Sequence, residues 1–383
     1  MYKIIQLSTY FHPSVGGVER QVEEIAYFLS QAGHDVTVLT TDATHGKEKR
    51  MQRLSDSYRG LNIIRFKYLL RIGNFFRFAP GIISFLWKAD FQILHVHNIH
   101  DGHLMPAILI CMLRKKKVVV TGHNPFVVDA EKRGAELHFL VRMYELFLRL
   151  FIWRLDGYVA LLESEKQEVV KRFKLPEQKV FVVPNGIQDE YYAGLGNAEK
   201  FYTEWEIDRS KWQLVVGTAS RLNYVKGLQN LLVAVRQLPQ VLFIFAGGDD
   251  GYYPQLKKIY SQFPNVIFTE SYLGTEDLKD FYAAIDIFLL PSIYEPFGMT
   301  VVEAMAQGKP VIATNKGGTT EILSTECGVL LNPQDQAAWR DQIAVFMRSP
   351  EKITDIAPKC VQAAQAYRWG NVIPQLVQVY EKI

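Results

Sequence analysis

The sequence is poor in cysteine and has no long apolar run. Its 383 residues include three cysteines, Cys111, Cys327 and Cys360. They lie far apart without C-x-x-C spacing, which argues against a disulfide framework or a structural zinc site and fits a reducing compartment. No stretch offers about 18 uninterrupted apolar residues, so a membrane-spanning helix is not expected. The start, Met1-Tyr-Lys-Ile-Ile-Gln-Leu-Ser-Thr9, holds too short an apolar mix for the core of a secretory signal. The chain has no Gly-x-Gly-x-x-Gly, the fingerprint of nicotinamide binding. It also has no Asp-x-Asp pair, the usual carboxylate clamp that holds a divalent ion on a diphosphate.

The sequence does contain a globular composition, with 48% hydrophobic and 22% charged residues. The length suits two domains better than one core. A net charge of +3 conceals an asymmetry: residues 1–187 carry 26 Lys and Arg against 18 Asp and Glu, and the remainder 17 against 22. A basic first half points to an anionic partner, either a membrane surface or a polyanionic substrate. No recognised nucleic-acid module is present, so nucleic acid is not an expected partner.

Short β-branched runs alternate with helical patterns throughout. The first half predicts strands at Lys3–Leu7, Asp35–Thr40, Asn62–Phe66, Ile93–Val96, Lys117–Thr121, Gly157–Ala160 and Val180–Val183. The second half predicts them at Leu214–Thr218, Val241–Ala246, Val266–Phe268, Ile287–Leu290, Val311–Ala313 and Gly328–Leu330. Apolar strands alternating with helices such as Val18–Ala32 and Thr275–Ala284 imply an α/β chain of parallel sheets covered on both faces. A break is expected after Pro184-Asn-Gly-Ile187, which divides the chain into 1–187 and 188–368; Asn371–Ile383 fits either domain. Ligands of open α/β sheets bind beyond the C-terminal ends of the strands, so a cleft between two such domains is the expected site.

The segment Glu295-Pro-Phe-Gly-Met-Thr-Val-Val-Glu303 reads as a strand–loop–helix turn with one carboxylate before the helix and another inside it. At helical rise, eight positions span roughly 12 Å, about the length of a sugar diphosphate nucleoside from ribose to sugar. The intervening helix start favours an anion. Taken alone, the pair fits a solvated helix surface equally well.

Other loops follow predicted strands. Gly16-Gly17, directly before a helix, permits close backbone approach to a phosphate. Arg221 and Lys226, in Ser220-Arg-Leu-Asn-Tyr-Val-Lys-Gly227, are placed to converge on one diphosphate. His123, in Thr121-Gly-His-Asn-Pro125, is placed to hydrogen-bond a sugar hydroxyl, although a lone histidine is more often structural. His95 and His97 share one strand face without a third ligand, so no metal site is expected. The Ala246-Gly-Gly-Asp-Asp250 and Lys316-Gly-Gly-Thr-Thr-Glu321 loops are ordinary turns that could line the same site.

In order along the chain, Gly16-Gly17, Asn185-Gly-Ile187, Ser220-Arg221 with Lys226-Gly227, Glu295 with Glu303, and Gly317-Gly318 resemble the GT-B-fold retaining glycosyltransferases of family 4. The resemblance implies two Rossmann-like parallel-sheet domains facing each other across a cleft. The first would bind the acceptor and the second the nucleotide-sugar donor, with residues 369–383 crossing back as a helix to the first. It implies that Glu303 holds the donor ribose, Glu295 meets the sugar hydroxyls, Arg221 and Lys226 hold the diphosphate, and His123 lies beside the transferring sugar. Gly16, Gly17, Gly248, Phe297 and Gly298 complete the expected donor site. A hexose would pass from a UDP- or GDP-linked donor to a lipid-linked or glycan hydroxyl by front-face substitution, with no metal or other cofactor. Two features depart from the family pattern: Thr319-Thr320 precede Glu321 where a proline is common, and Gly247-Gly-Asp-Asp250 replaces a single glycine–acid pair.

Arg65–Phe78 mixes aromatics with four basic residues, and Arg114-Lys-Lys-Lys117 adds a basic patch. Either suits an anionic membrane surface. The amphipathic pattern Leu137–Arg154 instead suggests a helix packed on the core. A cytoplasmic protein able to lie peripherally at the inner face of the membrane is expected. Rival functions are a nucleotide-sugar epimerase of the same fold, which needs no acceptor, and a silent sugar-nucleotide-binding subunit.

Overall fold

Strands such as Val118-Val-Val120 are apolar on both faces and need a layer on each side. A computed structural model describes residues 1–14, 16–44, 50–51, 54–72, 76–123 and 135–383. Gly73–Phe75, Asn124-Pro125 and the side chains of Ile72, Phe76 and residues 137–140, all within segments singled out above, lie outside the described residues.

The first compact unit is Met1–Gly186 with Gly370–Ile383. Its strands are β1 (Lys3–Leu7), β2 (Asp35–Thr41), β3 (Ser55–Tyr58), β4 (Leu61–Phe66), β5 (Leu70–Ile72), β6 (Phe76–Phe78), β7 (Ile93–His97), β8 (Lys117–Thr121), β9 (Gly157–Ala160) and β10 (Val180–Val182). Eight of them form one sheet in the order β10-β9-β8-β7-β1-β2-β4-β3, parallel except for β3; β5 and β6 make a separate hairpin. One face buries Leu94, Val96, Val118 and Val120 against Leu86, Ile108 and Ile152.

The second unit, Ile187–Trp369, contains β11 (Leu214–Ala219), β12 (Val241–Ala246), β13 (Val266–Phe268), β14 (Ile287–Leu290), β15 (Val311–Thr314) and β16 (Gly328–Leu331). They form a wholly parallel sheet in the order β13-β12-β11-β14-β15-β16. In both sheets the chain winds outward one way, then returns to wind the other. The segments leaving β1 and β7 therefore diverge, as do those leaving β11 and β14, and each divergence opens a crevice beyond the strand ends.

Every strand expected above is present within a residue or two at each end. Two kinds of element were not legible. The strand β3, Ser55-Asp-Ser-Tyr58, is polar and held at the sheet edge by antiparallel pairing on β4. The helix Leu104–Leu113 is apolar nearly all round, so it carries no helical period.

Two expectations are corrected. The stretch Arg65–Phe78 does not present its four basic residues outward. Arg65 is buried, 2.9 Å from Asp56 and donating to the His12 carbonyl at 2.7 Å. Arg77 is also buried, its guanidinium near the rings of Tyr10 and Tyr68. The pattern Leu137–Arg154 is not one core-packed helix: a helix Ala135–Leu148 gives way to a 3-10 turn at Ile152–Arg154. Leu148 and Ile152 enter the core, whereas Leu146, Phe147, Leu150 and Trp153 stay exposed. Among the described residues no helix is long and apolar enough to cross a membrane.

The last helix, Trp369–Lys382, packs on the first sheet through Tyr380. The Tyr380 hydroxyl lies 2.7 Å from His95 Nδ1 and 3.5 Å from Gln6 Nε2, joining the helix to β7 and β1. Tyr380→Phe leaves the fully buried His95 ring nitrogen without its partner. It is expected to lower unfolding free energy by about 1–3 kcal/mol, measured by urea denaturation.

Candidate active site

The second sheet's switch point lies between β11 and β14, paired at Gly217 and Phe288. After β11 the chain runs through Ser220-Arg221 into a 3-10 turn at Tyr224–Lys226. Asn223 shapes that turn, its Oδ1 accepting the Lys226 N–H at 3.2 Å. Gly227 follows with φ +69°, where a Cβ would overlap the Pro291 carbonyl oxygen. Only glycine lets this loop lie against the end of β14. The Ile293 N–H donates to the Val225 carbonyl at 2.8 Å and fastens the two segments together.

This close approach brings Lys226 Nζ to 2.8 Å from Glu295 Oε2, which also accepts the Ser292 hydroxyl at 3.0 Å. Glu295 is only 8% exposed. A third segment holds its backbone: Glu295 N–H donates to the Lys316 carbonyl at 3.1 Å, and Gly318 N–H to the Glu295 carbonyl at 2.8 Å. Between them Gly317 takes φ +90°, and a Cβ there would strike the Glu295 carbonyl. Loops after β11, β14 and β15 thus meet around one carboxylate.

Phe297 and Gly298 connect this carboxylate to the helix Met299–Ala306. Phe297 is buried, edge-on to Tyr367 at 6.0 Å between ring centroids. Glu303, on the second turn, is 4% exposed and accepts the Tyr282 hydroxyl at 2.8 Å. Neither glutamate is a solvated surface residue. The helical ruler of roughly 12 Å holds only from Met299 onward, because Glu295–Gly298 is not helical.

Arg221 takes a different partner from Lys226. Its Nη1 lies 3.1 Å from Asp250 Oδ2, the oxygen that also accepts Asn223 Nδ2 at 2.9 Å. Both ends of the Arg221–Asp250 pair are largely exposed, so it holds Arg221 only weakly. The two cations expected to converge on one group therefore sit on separate carboxylates. Gly248, in the loop after β12, lies beneath the Tyr272 ring.

In the first unit, Gly16 is extended and precedes the helix Gly17–Gln31. Its missing side chain leaves room for the Glu19 carboxylate at the helix start, whereas the space beside Gly17 is open. His123 lies two residues beyond β8 with φ +54°, a strained value for a residue other than glycine. Its Nε2 is 3.0 Å from His97 Nδ1, and His97 Nε2 is 2.6 Å from Gln6 Oε1. With Gln6 presenting its oxygen, His97 donates from Nε2 and accepts from His123, which leaves Nδ1 of His123 as an acceptor. His95 Nε2 reaches Thr121 Oγ1 at 2.7 Å. Both ring nitrogens of His95 and of His97 are thus committed to hydrogen bonds. Burial depresses all three rings: His123 to about 4, His95 to about 3 and His97 well below the usual imidazole value. His103 is likewise tied up, accepting the Ala79 N–H at Nε2 and facing Asp101 at 2.8 Å.

Several contributors were missed in the sequence. Asn223 had a local signal, a turn-forming residue three positions before Lys226. Tyr282, Gln6 and Tyr380 had none, since each acts on a residue distant in the chain.

The fold of two doubly wound sheets is that of the GT-B class of glycosyltransferases. The solved structure of HepE from Anabaena in complex with UDP matches 100% of this chain and 100% of that one, with a TM-score of 0.79 at 19% identity, a likeness of fold alone. Residues 15–191 match Glycosyltransferase Family 4, and residues 203–363 match Glycosyl transferases group 1. The chain belongs to the family-4 glycosyltransferases. An uncharacterized glycosyltransferase of Methanocaldococcus jannaschii is 33% identical over 239 residues, 58% of this chain and 59% of that protein, less than two thirds of either. The alpha-galactosylglucosyldiacylglycerol synthase of Streptococcus pneumoniae is 25% identical over 298 residues, 76% of this chain and 77% of that protein.

Gly227→Ala is expected to cost about 1–3 kcal/mol of stability and to lower glycosyl transfer by displacing Lys226, read from thermal melts and turnover together. His95 and His97 regain protons on unfolding below an ordinary pKa of about 6.5. Their contribution is therefore complete above that value and is lost as pH falls toward their depressed folded values, by at most about 1.4 kcal/mol per pH unit for each ring. The melting temperature should fall between neutral and mildly acidic pH, and His95→Gln should flatten that fall.

Proposed function

We propose that the chain moves a hexose from a nucleotide-diphosphate sugar, UDP- or GDP-linked, to a hydroxyl of a lipid-linked or glycan acceptor, with retention of anomeric configuration and without a metal. The contact that carries this reading is Lys226 on Glu295, at the switch point of the second sheet. It sets a cation and a buried carboxylate at the strand ends, with a second buried carboxylate, Glu303, one short helix away. The pneumococcal relative's name, a glycolipid synthase, supports a lipid acceptor, and HepE solved with UDP supports a uridine donor.

In this reading Glu303 takes the ribose hydroxyls and Glu295 those of the sugar. Arg221 leaves the exposed Asp250 pair for the diphosphate, joined by Lys226, and Gly248, Phe297 and Gly298 line the donor. In this reading Gly16 and Gly17 also meet the diphosphate and His123 the transferring sugar, as the family resemblance implies. The bond from the anomeric carbon to the diphosphate oxygen breaks as the acceptor oxygen bonds to the same face of that carbon. The acceptor's proton passes to the leaving phosphate. Charge accumulates on the diphosphate in the transition state, where preplaced cations act most strongly. The enzyme would meet its acceptor at the cytoplasmic face of the membrane.

The matching UDP- or GDP-sugar should raise the melting temperature, with about 2.7 kcal/mol of stabilisation at a hundred times the dissociation constant. Arg221→Ala and Lys226→Ala are expected to lower turnover by roughly 10²-fold or more, with a smaller effect on folding. Unchanged turnover in both variants, measured with the correct acceptor, removes the assignment.

A further inference from the structure

The first unit carries an apolar surface that its core does not use. The helix Pro80–Lys88 packs on the helix Leu104–Leu113, which packs in turn on the 3-10 turn Ile152–Arg154. Arg114 ties the first two together, its Nη1 donating to the Leu86 and Ala89 carbonyls at 2.7 and 2.6 Å. All three elements cover the same face of the sheet, through Leu86, Ile108 and Ile152. Each also leads directly into a parallel strand: β7 starts at Ile93, β8 at Lys117 and β9 at Gly157. The ends of the three elements therefore gather at one edge of the sheet. It is the edge opposite the strand ends from which Gly16, Gly17 and His123 project.

At that edge large apolar side chains face outward. Trp87, Leu113, Phe147, Leu150 and Trp153 are all more than half exposed, with Leu150 reaching 65%. Such a cluster is uncommon on a surface that meets only water. Lys88, Lys115, Arg149 and Arg154 are exposed among them. The Arg154 guanidinium stacks over the Trp153 ring at 3.9 Å. The acids of this edge are already matched: Asp90 lies 2.6 Å from Lys3 and 3.8 Å from Lys116, and Asp156 lies 3.2 Å from Lys117. Among the described residues no acid lies within ion-pair distance of Lys88, Lys115, Arg149 or Arg154.

We propose that this edge docks the protein on an anionic bilayer surface. Two tryptophans, a phenylalanine and two leucines enter the boundary between headgroups and acyl chains, where tryptophan is favoured. The four cations around them meet lipid phosphate groups. Charge decides the occupant. A second copy would bring the same uncompensated cations face to face, whereas an anionic headgroup layer complements them. The docking surface deepens the lipid-acceptor reading above, yet it is tested without donor or acceptor.

The test is co-sedimentation of the full chain with vesicles of phosphatidylcholine alone or of an equimolar mixture with phosphatidylglycerol, at low and high salt. The protein should pellet with the anionic vesicles at low salt and be released by added salt. Leu150→Glu combined with Trp153→Glu should weaken partitioning by about tenfold or more. Lys115→Ala and Arg149→Ala should each weaken it by about fivefold. All these residues lie in the first unit at the edge away from Gly16, Gly17 and His123, so the thermal shift with nucleotide sugar should not change. That separates failure of docking from failure of the donor assignment. Protein that stays in the supernatant with anionic vesicles at low salt would overturn the proposal, as would variants that bind like the parent. A vesicle-free dimer abolished by the paired Glu substitutions would overturn it too, assigning the face to a second copy.

Discussion

A parallel sheet delivers all its following loops to one edge, and the candidate site of the second unit depends on that constraint. Lys226 and Glu295 are 69 residues apart in the chain, yet β11 and β14 are neighbours and release their loops side by side. The loops could still have missed each other by a few ångströms. Gly227 and Gly317 close that gap, because each holds a left-handed backbone angle at a place where a Cβ would strike a carbonyl of the β14 loop. Glu295 is consequently gripped from three segments. Its carboxylate is buried yet accepts two donors, the arrangement in which a buried acid is tolerated.

The first unit solves a related problem differently. Gln6, His95, His97 and Thr121 place polar groups on the buried surface of a sheet, where an unmade hydrogen bond is costly. Tyr380 closes the set from 285 residues away, arriving on the helix that ends the chain. That helix is therefore bound to the first sheet by polar matching as well as by apolar packing. The same network runs through His97 to His123, so the residue proposed to lie beside the sugar is oriented from within the core.

Much of the layout was legible because the strands are periodic and apolar. Their number, type and limits could be read from runs such as Val241–Ala246 without knowing what packs on them. Glu295 and Glu303 could be picked out, but not their burial, since isolated glutamates near a helix read equally well as solvated. Arg221 and Lys226 looked alike in sequence, five residues apart after one strand. They part because Asn223 directs one side of the turn toward Asp250 and Gly227 presses the other against β14. The basic, aromatic stretch Arg65–Phe78 looked like surface, but two of its arginines are buried, one beside Asp56 and one near the Tyr10 ring. Leu137–Arg154 looked like core and instead leaves leucines and aromatics in solvent.

By itself the sequence determined the α/β class, the strand positions, the division into two units and the ordered set of loops that marks the family. These follow from local periodicity and from turn residues whose backbone preferences act over a few positions. Tertiary structure alone decided which carboxylate meets which cation, which histidines are committed to the core and which apolar residues remain uncovered. Those outcomes depend on contacts between residues far apart in the chain, and a side chain's local pattern does not say what will be packed against it.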